Sequence, residues 1–292
     1  MRRERGVALL TVLLVVALVT LVASSMLARQ HLAARSLGNR LEARQAWQLA
    51  LGGEALARAL LHRDLRQGGG ERDHPGEAWA QPRPAYPVDG AEIHLRIEDL
   101  AGRFNLNALL RNQQRNEPGI AQFRRLLALL ALDPALADAL LDRLGADATG
   151  PLADPSELRP LGLDAAGYRR LAPHVAALPP EVPLNVNSAG PLVLASLVPG
   201  AGVRMGEALW HARPAQGYRD SGEFLAQPGL SPVLLAGTEL AVSSQYFEAV
   251  CDVRLGERRL VLASLLERGA DGVVRTLRRD LGRRPAPLEE AP

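Results

Sequence analysis

The stretch Arg5-Gly6-Val7-Ala8-Leu9-Leu10-Thr11-Val12-Leu13-Leu14-Val15-Val16-Ala17-Leu18-Val19-Thr20-Leu21-Val22-Ala23 opens a segment that carries no charge until Arg29. Drawn as a helix, residues 7–28 extend for roughly 33 Å at about 1.5 Å per residue, enough to cross the hydrocarbon of a bilayer. Arg2, Arg3 and Arg5 precede it, with Glu4 the one acid. The positive-inside tendency therefore predicts a cytoplasmic N-terminus with residues 29 onward outside. A cleaved secretory signal has an apolar region of about 7–15 residues ended by a small-residue cleavage site. This run is longer and helix-forming sequence follows it, so it reads as a membrane anchor.

The whole chain has 292 residues, with 34 basic and 32 acidic side chains and a net charge of +2. Such a balance creates no overall field that would draw it to nucleic acid. Every basic residue is Arg. Cys251 is the single cysteine, which excludes an intramolecular disulfide and any multi-cysteine metal site. The 27 glycines and 21 prolines predict many turns and short elements.

Residues 29–65 contain no proline, and Gly38, Gly52 and Gly53 stand among good helix formers, so the membrane helix is expected to continue into the aqueous space. Leu37 and Leu41, Trp47 and Leu51, and Leu56 and Leu60 are spaced i, i+4 and predict an apolar stripe that packs on a domain. Gly68-Gly69-Gly70, Pro75, Pro82, Pro84 and Pro87 then end the helix in what reads as a surface loop. The alternation Ala91-Glu92-Ile93-His94-Leu95-Arg96-Ile97-Glu98 predicts a strand with one buried face, and Asp99 to Asn107 a turn leading into a second short strand.

From Ile120 to about Leu178 the period is helical. Phe123, Leu126, Leu127 and Leu130 share a face; after a break at Asp133-Pro134, with Pro134 in a first-turn position, Leu136, Leu140, Leu141 and Leu144 follow. Residues 185–230 read as a second helical unit. Ser244–Leu255 and Arg259–Arg268, joined at Gly256-Glu257-Arg258, predict a hairpin that Gly272–Arg279 extends to a meander. Early and late strands can share one antiparallel sheet only if roughly residues 111–235 are an excursion from it, so a helical domain inserted into an α+β domain is expected.

Three patterns bear on chemistry. Asn185-Val186-Asn187-Ser188-Ala189-Gly190-Pro191, with Gly200 and Gly202 ahead of Met205–Arg213, predicts a helix-hairpin-helix-like unit in which Ser188 or Asn187 caps the first helix. In nucleic-acid binders of that type the hairpin holds a phosphate, but Arg204 is the one cation beside it, with Glu207 three residues on. One Arg adds a modest, salt-sensitive term, so a structural hairpin is the preferred reading and nucleic acid is not an expected partner. Asp142, Asp147 and Asp154, with Glu157, offer the oxygen donors of a calcium site, although no D-x-D-x-D-G loop is present and helix ends and solvated turns are the preferred reading. Catalytic patterns are lacking: the histidines at 31, 62, 74, 94, 174 and 211 have no H-x-x-x-H spacing, and there is no G-x-S-x-G elbow.

A short basic leader ending in Gly, an immediate membrane helix and an α+β domain beyond it resemble the type IV pilin class. Within that class the chain is similar to the minor pseudopilin K family of type II secretion. The resemblance covers most of the chain and rests on Arg5–Thr11, Ile97–Asn107, Pro183–Ala189 and Ser244-Gln245-Tyr246-Phe247 taken together. It implies a non-enzymatic subunit whose leader is cut by prepilin peptidase between Gly6 and Val7, with methylation of the new amine on Val7. It also implies a place in the inner membrane of a Gram-negative cell, with the bulk of the chain in the periplasm. Members of the class place Phe after that Gly and Glu at the fifth mature position, where this chain has Val7 and Thr11.

A carboxylate within a membrane helix is costly unless paired with a cation, and in a helical filament that cation is the N-terminal amine of the neighbour already in place. Lacking the Glu, Thr11 suits a first subunit at the tip, in a complex with minor pseudopilins I and J, and H. Family members bind calcium at an acidic stretch of the helical insertion. The matching stretch here is Leu141-Asp142-Arg143-Leu144-Gly145-Ala146-Asp147, with Gly145 where the middle acid would stand.

The expected fold class is thus α+β and pilin-like: a long N-terminal transmembrane and stalk helix on a small antiparallel sheet, with a large inserted all-α domain. Its divisions are leader 1–6, membrane helix 7–28, stalk 29–65, loop and first strands 66–110, helical insertion 111–235, late strands 236–281 and a disordered tail 282–292. Two competing readings remain: a membrane-anchored helix-hairpin-helix DNA receptor, and a minor pilin of another type IV machine. The first leaves the leader glycine and the flanking strands unexplained.

Overall fold

Helix α1 (Arg3–Arg66) runs unbroken through anchor and stalk. In the computed structural model the described residues are 3–146, 150–230, 235 and 237–281, with side chains described outside 3–11, 28 and 69. Along residues 12–27 the helix exposes Leu14, Leu18 and Leu21 and buries nothing of that stretch. An apolar helix covered by no protein is suited to lipid as its solvent.

Burial begins at Ala46 and continues through Ala50, Glu54, Ala57 and Leu61, all nearly or fully enclosed. These small residues let the helix lie close to a flat sheet; at Gly53 an added Cβ would stand 2.7 Å from Cys251 Sγ. The predicted stripe is therefore shifted. Leu37 and Leu41 are 59% and 57% exposed, and Trp47, Leu51, Leu56 and Leu60 flank the seam half-buried.

The sheet has five antiparallel strands in the order β1 (Tyr86–Val88), β2 (Ala91–Asp99), β3 (Tyr246–Leu255), β4 (Arg258–Arg268) and β5 (Val274–Leu281). Period-two alternation in β2 turns Ala91, Ile93, Leu95 and Ile97 toward α1. On the neighbouring strands Leu95 pairs with Cys251, and Cys251 with Leu262, so one rung of the core crosses three strands. The β3–β4 hairpin turns at Gly256, whose φ of 56° suits a residue without Cβ.

Between β2 and β3, adjacent in the sheet, the chain makes a helical excursion with two cores. Phe104, Leu106, Leu109, Ile120, Phe123, Leu126, Leu140 and Leu158 form the first, around α2 (Glu117–Leu129), α3 (Leu136–Gly145) and α4 (Ala165–Leu171). Val186, Val193, Leu194, Leu209, Tyr218 and Phe224 form the second, around α5 (Pro191–Leu197), α6 (Val203–Ala212) and α7 (Ser221–Leu225). Arg125 of α2 joins them by donating to the Ser196 and Leu197 carbonyls at the end of α5, at 2.6 and 3.1 Å.

Several boundaries differ from expectation. Residues 100–110 belong with the helical excursion rather than the sheet: Phe104-Asn105 pairs in parallel with Val175-Ala176, and Leu106 and Leu109 are enclosed in the first helical core. Likewise Leu240-Ala241 pairs with Leu184-Asn185, so the excursion closes near Gln245. Pro134 precedes the N-cap of α3 instead of entering its first turn, because Ala135 is the cap. The segment after α1 is more than a surface loop, since Asp73 is 0% and Trp79 3% exposed. Residues 282–292, expected to be disordered, lie outside the described residues.

Candidate functional site

The three internal stretches that carried the family resemblance meet at one buried polar junction between sheet and excursion. Asp99, at the end of β2, is buried; its Oδ1 accepts from Ala101 N at 2.8 Å, and its Oδ2 from Asn185 Nδ2 at 2.8 Å and Ser244 Oγ at 2.6 Å. Asn185 Nδ2 also donates to the Asp73 carbonyl at 3.0 Å. Burial pushes the Asp99 carboxyl up, while hydrogen bonds from Ser188, Ser244 and Asn185 pull it down. Gly102 is required at this crossing, because a Cβ there would stand 2.6 Å from the Ser188 carbonyl carbon.

The two N-x-N motifs do equivalent work on either side. Asn105 Oδ1 accepts from Asn107 N at 3.2 Å and Asn185 Oδ1 from Asn187 N at 2.9 Å, each an Asx turn of the kind short amide side chains favour. Asn107 then pins a distant segment through Leu152 O, Leu178 O and Leu152 N. Asn187 does the same through Tyr218 N, Tyr218 O and Val242 O. Ser188 and Asn187 are accordingly occupied elsewhere, and the N-cap of α5 is Gly190, without a side-chain bond. That corrects the expected cap.

Arg268 closes the junction from β4. It is 4% exposed, pairs with Asp73, donates to the Ser244 carbonyl at 2.7 Å and to Asp64 Oδ2 at 3.1 Å, and lies over the Phe247 ring at 4.9 Å. Burial pushes Asp73 up to about 7 against the pull of Arg268. A second buried carboxylate, Glu54 on α1, accepts from Ser264 Oγ at 2.7 Å, Thr276 Oγ1 at 2.8 Å, and Arg279 Nε and Nη2 at 2.7 and 2.9 Å. Burial would raise it, yet the bonds from Arg279, Ser264 and Thr276 hold it at about 2. Neither Glu54 nor Arg268 stood out in the sequence; the one signal for Glu54 was an acid in step with Ala46, Ala50, Ala57 and Leu61.

Of the residues singled out beforehand, Gly6, Val7 and Thr11 lie in the first turns of α1, their side chains outside those described. Gly200, with φ of 74°, makes the turn between α5 and α6, and Gly202 is the N-cap of α6. Arg204 is exposed. What brings α5 and α6 together is Gly206, where any Cβ would overlap the Pro191 carbonyl oxygen.

Beside the acidic stretch, Glu157 and Asp154 are taken up by protein partners. Asp142 is exposed, and Asp147 lies outside the described residues. Glu157 receives Arg143 at 2.9 Å and caps its own helix through Ala153 N and Asp154 N. Asp154 accepts from Ser156 N and from Arg278 Nη2, both at 2.8 Å.

A long N-terminal helix with one candidate membrane span among the described residues, laid on a small antiparallel sheet, defines a membrane-anchored pilin-like protein. Comparison with known proteins narrows the class. Residues 102–180 and 184–243 match the two family models described as type II secretion system protein K. The type II secretion system protein K of Pseudomonas aeruginosa is 43% identical, covering 98% of this chain and 96% of its own, and that of Klebsiella pneumoniae 37%, covering 91% and 93%. The chain belongs to the type II secretion system protein K family, whose members are minor pseudopilins. In the crystal structure of the GspK-GspI-GspJ complex from enterotoxigenic Escherichia coli, one chain superposes with a TM-score of 0.72 at 27% identity, covering 84% of this chain and 99% of that one.

Proposed function

We propose that this subunit sits at the tip of the type II secretion pseudopilus, in a complex with minor pseudopilins I and J, and H, where it starts assembly and so supports export across the outer membrane. The solved neighbour, a GspK-GspI-GspJ complex, supports the first two partners. The observation that carries the tip assignment is the helical excursion of residues 100–245 between two adjacent strands. A mass of that size on a thin stalk helix leaves little room for another subunit stacked above it. Thr11 points the same way, since a subunit without the usual carboxylate makes no ion pair with a neighbour ahead of it.

On this reading prepilin peptidase cuts between Gly6 and Val7 and methylates the Val7 amine, the N-terminus is cytoplasmic, and the domains lie in the periplasm against the inner membrane. Arg5-Gly6 ahead of a charge-free helix supports the processing claim. Deleting the subunit and counting pseudopili and exported substrate tests the proposal: both should fall, and unchanged export would overturn it.

A further inference from the structure

Where α1 ends, three carboxylates converge that the resemblance did not touch. Asp64 lies in its last turn, and Asp73 and Glu77 in the segment that follows; one oxygen of each falls within 4.8 Å of the others. Each residue has one oxygen engaged. Asp64 Oδ2 takes Arg268 at 3.1 Å, Asp73 Oδ2 takes Ser244 N at 2.7 Å together with Arg268, and Glu77 Oε2 takes His74 N at 3.0 Å and Trp79 Nε1 at 2.9 Å. Asp64 and Glu77 also bond to one another through their side chains. Asp73 is 0% exposed, and its Oδ1 is enclosed without any hydrogen-bond partner.

The charge there does not balance. Three carboxylates meet one guanidinium, and the C-terminus of a helix adds a partial negative charge of its own. We propose that Asp64, Asp73 and Glu77 hold one calcium ion, which ties the end of the stalk helix to the segment leading into the sheet.

Donor chemistry and spacing select the ion. An all-oxygen set suits a hard cation. Calcium binds oxygens at about 2.3–2.6 Å and accepts irregular geometry, with water and carbonyls completing its shell, whereas magnesium at about 2.0–2.1 Å requires opposing oxygens no farther apart than roughly 4.2 Å. Three carboxylates from a helix end and the irregular segment after it suit the more adaptable of the two ions, calcium.

The test uses the full chain in detergent micelles, stripped with chelator and titrated with calcium alone by calorimetry, with terbium as a luminescent probe. Trp79, bonded to Glu77, should sensitise terbium emission. One equivalent of calcium should bind and raise the melting temperature. Glu77→Gln keeps an oxygen for Trp79 and His74 N, and with Asp64→Asn it should weaken binding about tenfold or more while near-ultraviolet dichroism stays native. Asp142→Ala should leave binding unchanged, and Trp79→Phe should remove the sensitised emission but not the calcium heat. No calcium heat, binding indifferent to Glu77→Gln and Asp64→Asn, binding lost in Asp142→Ala, or magnesium binding as tightly as calcium would each overturn the assignment.

Discussion

Arg279, on the last strand of the sheet, grips Glu54, at the middle of the stalk seam, through two parallel bonds of 2.7 and 2.9 Å. The contact joins the two ends of the chain's own sheet domain: the helix that comes first in sequence and the strand that comes last. Glu54 is 2% exposed, so the pair is held on its acid side in a dry seam and on its Arg side at the rim. Removing either partner has different consequences. Glu54→Ala strands the Ser264 and Thr276 hydroxyls and should cost about 2–3 kcal/mol. Arg279→Ala leaves a buried carboxylate with two neutral donors and no countercharge, and should cost as much or more, about 3 kcal/mol, softened by water that reaches the exposed side of the pair. Denaturant melts of the two variants would rank them, and a clearly smaller loss for Arg279→Ala would contradict the burial of the Glu54 charge.

The same carboxylate predicts an acid limit. Its folded value, about 2, lies below its ordinary 4.5. A depressed group contributes stability that is complete above the unfolded value and is lost as pH falls toward the folded one. Melting temperature should therefore drop between about pH 4.5 and pH 2, and Glu54→Gln should flatten that part of the profile. A profile of unchanged slope in Glu54→Gln would refute the assignment.

Asn185 makes a third prediction, because it bonds at once to the Asp99 carboxylate, the Asp73 carbonyl and the turn to Asn187. Asn185→Ala should cost about 3 kcal/mol or more, since it leaves a buried charged acceptor with one fewer donor. Limited proteolysis should then cut first near residues 183–189, ahead of the strands. By contrast, Gly206→Ala should loosen α5 from α6 at a cost of about 1–3 kcal/mol and leave the junction intact.

Much of this was legible in the sequence, and the parts that were not share a cause. Residues 91–99 and 246–281 announced themselves by period two and Gly turns, and the anchor by its lack of charge. The stalk seam was misplaced because Ala46, Ala50 and Ala57 contribute little apolar signal, while Leu37 and Leu41 contribute much and remain exposed. The N-x-N stretches marked themselves as unusual, but that Asp99, Asn185 and Ser244 touch required the fold to bring them together. Near the acidic stretch, the contact of Arg278 with Asp154 was not legible because Arg278 arrives from β5, over a hundred residues away in sequence.

Position 11 carries the last prediction. In the tip reading no subunit precedes this one, so a carboxylate introduced by Thr11→Glu would find no neighbouring amine to pair with. Placed in a membrane helix, an unpaired acid costs up to about 2.5–3.5 kcal/mol on insertion scales. The variant should therefore be cut normally at Gly6, since the leader is untouched, yet leave fewer complexes with its partners and fewer pseudopili. If the filament instead continued ahead of this subunit, the new Glu would gain the amine of that neighbour, and assembly would hold or improve. Counting pseudopili and exported substrate with Thr11→Glu as the sole copy separates these cases: a decline supports the tip, and wild-type or higher levels place this subunit within the shaft.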